Sequence, residues 1–219
     1  MADSKIYIVR HAESEHNVSK DFSQLDPSLT ALGFEQAQQL SITIPDASKS
    51  VAIIICSPLR RAIQTTLAGF SNTLDKRYFP NDSGQGADDG ATLLLEADLQ
   101  ERSDLPCDTG SSVDELKKAF PHLDFDGLDE SWPTKTGRYG PEDSDVRERA
   151  VRVTDLLEEW AEKLKDESRK DVVVVTHGVF MKFLTGDHDI DLPKAGWRSY
   201  GLQKEEGGER NVLVQSPIE

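Results

Sequence analysis

With 219 residues, 37% of them hydrophobic, the chain can bury one substantial core but has no apolar stretch of membrane-spanning length. Forty acidic against 25 basic residues give a formal charge of −15, a field that repels nucleic acid and anionic lipid, so an anionic ligand must be captured by a local cluster of cationic side chains. Two cysteines, Cys56 and Cys107, are too few for a disulfide framework, and residues 1–5 show neither a signal-peptide core nor an Arg-rich transit segment, so the expected location is cytoplasmic with the nucleus left open.

Residues 6–9, Ile-Tyr-Ile-Val, form an apolar run of β-formers that reads as a strand buried on both faces of an open α/β sheet. It runs straight into Arg10 and His11, which then stand at the carboxyl end, where such sheets bind ligands. A polar passage leads to a helix expected from Thr30 as N-cap, with Ala37, Leu40 and Ile44 on its buried face and Pro45 at its end. Residues 51–55, Val-Ala-Ile-Ile-Ile, give a second strand. Ser57 as N-cap and Pro58 at the first helical position then predict a helix with Arg60 and Arg61 in its first turns.

Residues 71–92 read as a long surface loop, and Leu93, Leu94 and Leu95 begin a third strand leading to Glu101. Residues 103–140 are irregular, with a short helix expected near 113–120, and read either as a lid over a substrate or as a packed excursion covering a sheet edge. Between 142 and 165 the apolar positions Val146, Ala150, Val153, Leu157, Trp160 and Leu164 step by four and three, the clearest helix in the chain. A β-branched strand over 171–176 ends in His177 and Gly178; a helix over 179–184 and a last edge strand over 210–214 complete the pattern. The expectation is one domain over residues 1–219, with a variable insertion at about 102–141.

Four times an apolar run ends in a titratable or cationic side chain: Arg10 with His11, Arg60 with Arg61, Glu101, and His177. If the strands are parallel and adjacent, all of them meet on one rim. The inventory suits phosphoryl transfer, in which charge on the transferring group is met by cationic donors, a neutral histidine can act as nucleophile, and a carboxyl group can protonate the leaving oxygen. Metal chemistry fits less well, because no HExxH or CxxC spacing occurs and adjacent arginines repel a cation; the GxSxG elbow of serine hydrolases is also missing.

Arg10-His11-Ala12-Glu13-Ser14 with Asn17, Leu29-Thr30-x-x-Gly33-x-x-Gln36-Ala37, Ser57-Pro58-Leu59-Arg60-Arg61-Ala62-x-x-Thr65, Leu99-x-Glu101 and Val175-Thr176-His177-Gly178 together resemble the histidine phosphatase superfamily, with its phosphoglycerate mutase-like fold. The resemblance implies a three-layer α/β/α domain with a mostly parallel central sheet. It implies His11 as the nucleophile, Arg10, Arg61 and His177 holding the phosphoryl oxygens, Glu101 as general acid and Asn17 as a secondary donor in the phosphate pocket. No cofactor and no metal are implied. Arg61 matches the family's Arg-Ala pair, which leaves Arg60 as a solvated neighbour. Ala12 stands where the family most often has glycine, and Glu13 and Glu15 are possible stand-ins for the acid.

The leading expectation is a phosphatase acting on a small phosphorylated substrate, a metal-independent phosphomonoester hydrolase of the histidine acid phosphatase type. One alternative is a bisphosphoglycerate-dependent mutase. Mutases of the family carry Glu-Arg-His-Tyr-Gly after the acid, whereas Glu101 is followed by Arg102-Ser103-Asp104-Leu105. The other alternative is a non-catalytic protein that binds a phosphorylated ligand, which would be expected to have lost its nucleophile or an arginine. A homodimer is allowed for; nucleic acid and membrane are not expected as partners. Lys117, Lys118, Lys135 and Arg138 read as surface charge, with binding of a second anionic group, as in a sugar bisphosphate, as the alternative; Trp132 and Tyr139 read as ring-stacking or lid residues, and His16 as a hydrogen-bonding spectator, while His122 and His188 are given no role.

Overall fold

The computed structural model describes residues 4–216 apart from 206 and 209. Residues 1–3, part of the segment read above for a signal or transit peptide, lie outside the described residues. In chain order the elements are β1 (Ile6–Arg10), α1 (Glu15–Ser19), α2 (Ala31–Gln38), α3 (Leu40–Thr43), α4 (Ala47–Ser50), β2 (Val51–Cys56), α5 (Arg60–Gly69), β3 (Thr92–Leu95), α6 (Val113–Ala119), α7 (Asp143–Leu164), β4 (Asp171–Thr176), α8 (Phe180–Thr185), β5 (Trp197–Lys204) and β6 (Asn211–Gln215).

The six strands form one sheet in the order β3-β2-β4-β1-β5-β6. The first four run parallel, and β5 and β6 are antiparallel to their neighbours, so the sheet is mostly parallel as expected. Because side chains alternate across a strand, the apolar runs divide into two cores. Tyr7, Val9, Ile54, Cys56, Val173 and Val175 face Leu40, Leu59, Ala62, Ile63 and Leu116 on one side. Ile6, Ile8, Ile53, Ile55, Val172 and Val174 face Val146, Ala150, Val153 and Leu157 of α7 and Phe180, Met181 and Leu184 of α8 on the other. This double coverage is why the central strands read as continuous apolar runs. Among the described residues no helix is long and apolar enough to cross a membrane.

Several expectations need correction. The helix expected from Thr30 to Ile44 breaks at Gln39, whose N–H bonds the Gln36 carbonyl at 3.2 Å, a tightened turn that separates α2 from α3. The helix expected from Ser57 begins at Arg60 with Leu59 as its cap. Its first free N–H, on Arg60, is satisfied by Asp26 Oδ1 at 2.9 Å, so no local cap is needed and the Ser57 hydroxyl goes elsewhere. Strand β5 had no signal in the apolar pattern, since Trp-Arg-Ser-Tyr-Gly-Leu-Gln-Lys is mostly polar; pairing with β1 creates it. Trp132 and Tyr139, read as possible stacking residues, are buried in the first core, and a side chain at Gly110 would collide with the Trp132 ring. The excursion around them is packed structure.

Candidate active site

The register aligns three carboxyl ends. Arg10 pairs with Thr176 across β1 and β4, and Cys56 with Val175 across β2 and β4. The chain leaves the sheet here on all three strands, with His11 N–H donating to the Thr176 carbonyl at 2.9 Å and Ser57 N–H to that of Val175 at 3.0 Å. His11 and His177 are thereby brought side by side, ring centroids 5.1 Å apart, both buried.

His11 Nδ1 lies 2.7 Å from the Ala12 carbonyl, an oxygen that can only accept, so Nδ1 carries the proton and Nε2 keeps its lone pair. Burial, with further pressure from the Arg61, Lys194 and Arg10 charges, holds this ring neutral, its pKa well below the ordinary 6.5. Burial does the same to His177, with Arg61 adding to it. His177 Nε2 is 2.8 Å from Ser57 Oγ, which leaves its Nδ1 buried and without a partner among the described residues.

The two arginines are held from behind. Arg10 donates from Nη1 to Asp191 Oδ1 at 3.0 Å and to the Leu192 carbonyl, and its Nε is buried with no partner among the described residues. Gly178 lets that guanidinium lie close, because a Cβ there would stand 3.1 Å from Arg10 Nη2. Arg61 is fully buried; it donates from Nη1 to the Cys107 carbonyl at 2.6 Å and from Nη2 to Asp108 Oδ1 at 2.7 Å, again leaving Nε unpartnered. Arg10 and Arg61 both act electrostatically on His11, and Arg61 also on His177, so this is a donor set that suits an oxyanion. Arg60, expected to be solvated, instead donates to Ser111 Oγ at 3.0 Å and pairs with the buried Asp26 at 3.6 Å, tying α5 to the loops before α2 and α6.

Glu101 reaches this rim along a path fixed by Thr176, whose hydroxyl donates to the Leu99 carbonyl at 2.8 Å, and by buried Arg149 of α7, which donates to the Gln100 carbonyl at 2.7 Å. Its carboxylate accepts the N–H groups of Arg102 at 2.8 Å and of Val179 and Phe180 at 3.0 Å each, so it stands where α8 begins, two residues past His177. Glu13, one of the stand-ins, accepts from Thr30 Oγ1 at 2.7 Å, while Glu15 is exposed. Asn17 closes a ring with Ser14 and His16: its Oδ1 accepts from Ser14 N–H at 3.2 Å and its Nδ2 donates to His16 Nε2 at 2.9 Å. His16 is buried, 6.5 Å from His11 by ring centroids, and burial together with the Arg61 charge lowers its pKa to about 4.

The remaining motif residues buttress the His11 loop. Ala12 N–H donates to Thr65 Oγ1 at 2.9 Å and Glu13 N–H to Gln36 Oε1 at 2.9 Å. Thr30 caps α2 by accepting from Gly33 N–H at 2.9 Å. Gly33 is required because a Cβ there would stand 2.0 Å from the Glu13 carbonyl oxygen.

The chain as a whole is similar to known proteins. Residues 6–76 and 85–206 match the family described as histidine phosphatase superfamily (branch 1). The chain belongs to the histidine phosphatase superfamily. A probable phosphatase of Schizosaccharomyces pombe is 28% identical to it over 201 residues, covering 88% of this chain and 84% of the relative. A phosphoglycerate mutase-like protein of Arabidopsis thaliana is 29% identical over 209 residues, covering 85% and 75%. Among solved structures, a mycobacterial glucosyl-3-phosphoglycerate phosphatase superposes with a TM-score of 0.59 at 17% identity, over 98% of each chain, a likeness of fold.

The sequence pattern missed Ser57, Asp108 and Lys194. Ser57 carried a signal for a different role, the helix cap. Lys135, read as surface charge, is half-buried and donates to the Glu101 carbonyl at 2.8 Å. Arg138, also read as surface charge, is paired with Asp98, while Lys117 is exposed against Asp126 as expected. Ligand atoms of His16, Cys107 and Asp108 lie within 4.8 Å of one another, close enough to suggest a metal. The donor set does not fit one: Asp108 already holds Arg61 and Ser103, and both His16 nitrogens are engaged by Ser14 and Asn17.

Proposed function

We propose that this chain is a phosphatase that hydrolyses a small phosphomonoester through a phosphohistidine on His11. The observation that carries this reading is the pair of buried neutral histidines 5.1 Å apart, ringed by unpartnered donors on Arg10, Arg61 and His177. The phosphoryl group sits among those donors, whose charge matches the negative charge spread over its equatorial oxygens. His11 Nε2 attacks phosphorus as the ester P–O bond breaks, and Glu101 gives its proton to the departing oxygen. Water then attacks the phosphohistidine, the N–P bond breaks, and Glu101 takes the water's proton. His177, bonded through Nε2 to Ser57, donates from Nδ1 to a phosphoryl oxygen. Asn17 holds the His16 ring and through it the floor of the pocket; its second amide hydrogen is left for a phosphoryl oxygen.

The name of the yeast relative, a probable phosphatase, supports hydrolysis over mutase chemistry. Retention of His11 and both arginines supports catalysis over ligand binding alone. The test is hydrolysis of p-nitrophenyl phosphate and a panel of sugar, nucleotide and phosphoamino-acid esters without added metal, by wild type and His11→Ala. Turnover by the wild type alone is expected. Activity that survives in His11→Ala would contradict the reading, and activity confined to interconversion of phosphoglycerates would replace it with the mutase.

A further inference from the structure

A neutral imidazole carries one N–H, and which nitrogen holds it decides whether the ring offers the phosphate pocket a donor or a lone pair. For His177 the choice rests on Ser57. Both residues are fully buried, with His177 Nε2 and Ser57 Oγ 2.8 Å apart, and His177 Nδ1 has no partner among the described residues. Burial, with the Arg61 charge and the neighbouring His11, keeps the ring neutral. Ser57 stands one residue past β2, fixed there by its N–H, which donates to the Val175 carbonyl at 3.0 Å, two residues before His177. Its Oγ also accepts the Leu59 N–H, at 3.4 Å, just before the helix that carries Arg61.

The serine hydroxyl has one proton to give, and among the described residues His177 Nε2 is the acceptor within its reach. Given to Nε2, that proton occupies the lone pair there and leaves the imidazole N–H on Nδ1. The arrangement then has one unmet group, the Nδ1 N–H, which a phosphoryl oxygen satisfies. The reverse, with Nε2–H donating to Oγ, strands two groups in a buried place: the serine O–H has no acceptor, and the Nδ1 lone pair has no donor and repels a phosphoryl oxygen. A carbonyl or carboxylate in place of the hydroxyl could only accept, and would impose that reverse form. Two histidines 5.1 Å apart are thus set in complementary states, a backbone carbonyl freeing a lone pair on His11 and a hydroxyl freeing an N–H on His177.

Resting on the phosphatase reading, we infer that Ser57 is a positioning residue whose hydroxyl donates to His177 Nε2 and so keeps an N–H on Nδ1 for a phosphoryl oxygen. The experiment labels the histidines of the full chain with nitrogen-15 and reads by NMR which ring nitrogen of His177 is protonated at pH 7.5, with His177→Asn to assign its signals. The proteins compared are wild type, Ser57→Ala and Ser57→Thr, each also assayed on p-nitrophenyl phosphate and glycerol 3-phosphate. Wild type is expected to hold the His177 proton on Nδ1, with Nε2 unprotonated. In Ser57→Ala the proton shifts toward Nε2, and kcat falls by about 10–100-fold, less than the 10²–10³-fold of removing such a donor outright. The fall is the same on both esters, because the contact is with the transferring group and not with the leaving oxygen. Ser57→Thr keeps the hydroxyl, the Nδ1 proton and most of the rate. A merely structural serine would lower the melting temperature when replaced by alanine without moving the proton. A wild-type His177 protonated on Nε2, or an Nδ1 proton that stays in Ser57→Ala, would overturn the inference while leaving the phosphatase reading intact. No turnover of either ester by wild type would overturn that reading, and this role of Ser57 with it.

Discussion

The hydrogen bond from His11 Nδ1 to the Ala12 carbonyl selects which ring nitrogen can attack phosphorus, and burial keeps that nitrogen unprotonated. Glu101 is placed just as narrowly, by the N–H groups of Val179 and Phe180 at the start of α8 and by that of Arg102 beside it. Glu101→Gln keeps one carbonyl oxygen, enough for the Arg102 and Phe180 N–H groups though not for that of Val179, and has no acidic proton to give. Its kcat should fall by about 10²–10⁴-fold on alkyl esters and far less on p-nitrophenyl phosphate, whose leaving group needs no proton. Equal losses on both esters would assign the proton to another group. Of the residues legible in the sequence, Arg10 ends β1, His11 and His177 directly follow β1 and β4, and Arg61 stands in the first turn of the helix after β2, so the strands' direction fixes their place. Asp108, Lys135 and Lys194 lie on loops whose paths depend on distant packing, such as Trp132 against Gly110, and no local pattern announces that.

One step up, segments that never approach the reacting atoms hold the nucleophile loop from outside. Helix α2 grips Glu13 through Thr30 and Gln36, and α5 grips Ala12 through Thr65. Gly33→Ala would force a methyl group against the Glu13 carbonyl, a backbone atom with no rotamer to yield. We predict a loss of about 1–3 kcal/mol in urea unfolding, the usual cost of overpacking, together with reduced kcat as the His11 loop shifts. A Gly33→Ala protein of wild-type stability and rate would remove α2 from this role. The central strands and α7 were legible because their periodicity is set by burial on one or two faces. The start of α5 was misread because Asp26, 34 residues away, supplies the cap that Ser57 was expected to give.

Across the whole chain, a charge of −15 surrounds a site kept cationic by arginine and lysine while its histidines stay neutral. Burial depresses His11 and His177 far below 6.5, and His16 to about 4. Above pH 6.5 these rings are neutral in folded and unfolded chains alike. As pH falls below that value the unfolded chain takes up protons that the folded chain refuses, so folding stability must decline, each histidine adding up to about 1.4 kcal/mol per pH unit. Lys135 and Lys194 act in the same direction at higher pH, since the folded chain releases their protons first. Urea midpoints should therefore drop steadily from pH 7.5 to pH 5, and a flat profile would show that the histidines are not held neutral by burial.

The central claim is that the phosphoryl group passes through His11. Phosphohistidine survives base and is lost in acid, so the decisive measurement mixes enzyme with p-nitrophenyl phosphate, quenches in base within the first turnovers, and maps added mass by peptide mass spectrometry. The account predicts one phosphoryl group on the peptide carrying His11, absent after an acid quench and absent in His11→Ala. Turnover with no phosphorylated intermediate, or a phosphoryl group on any other residue, would contradict it.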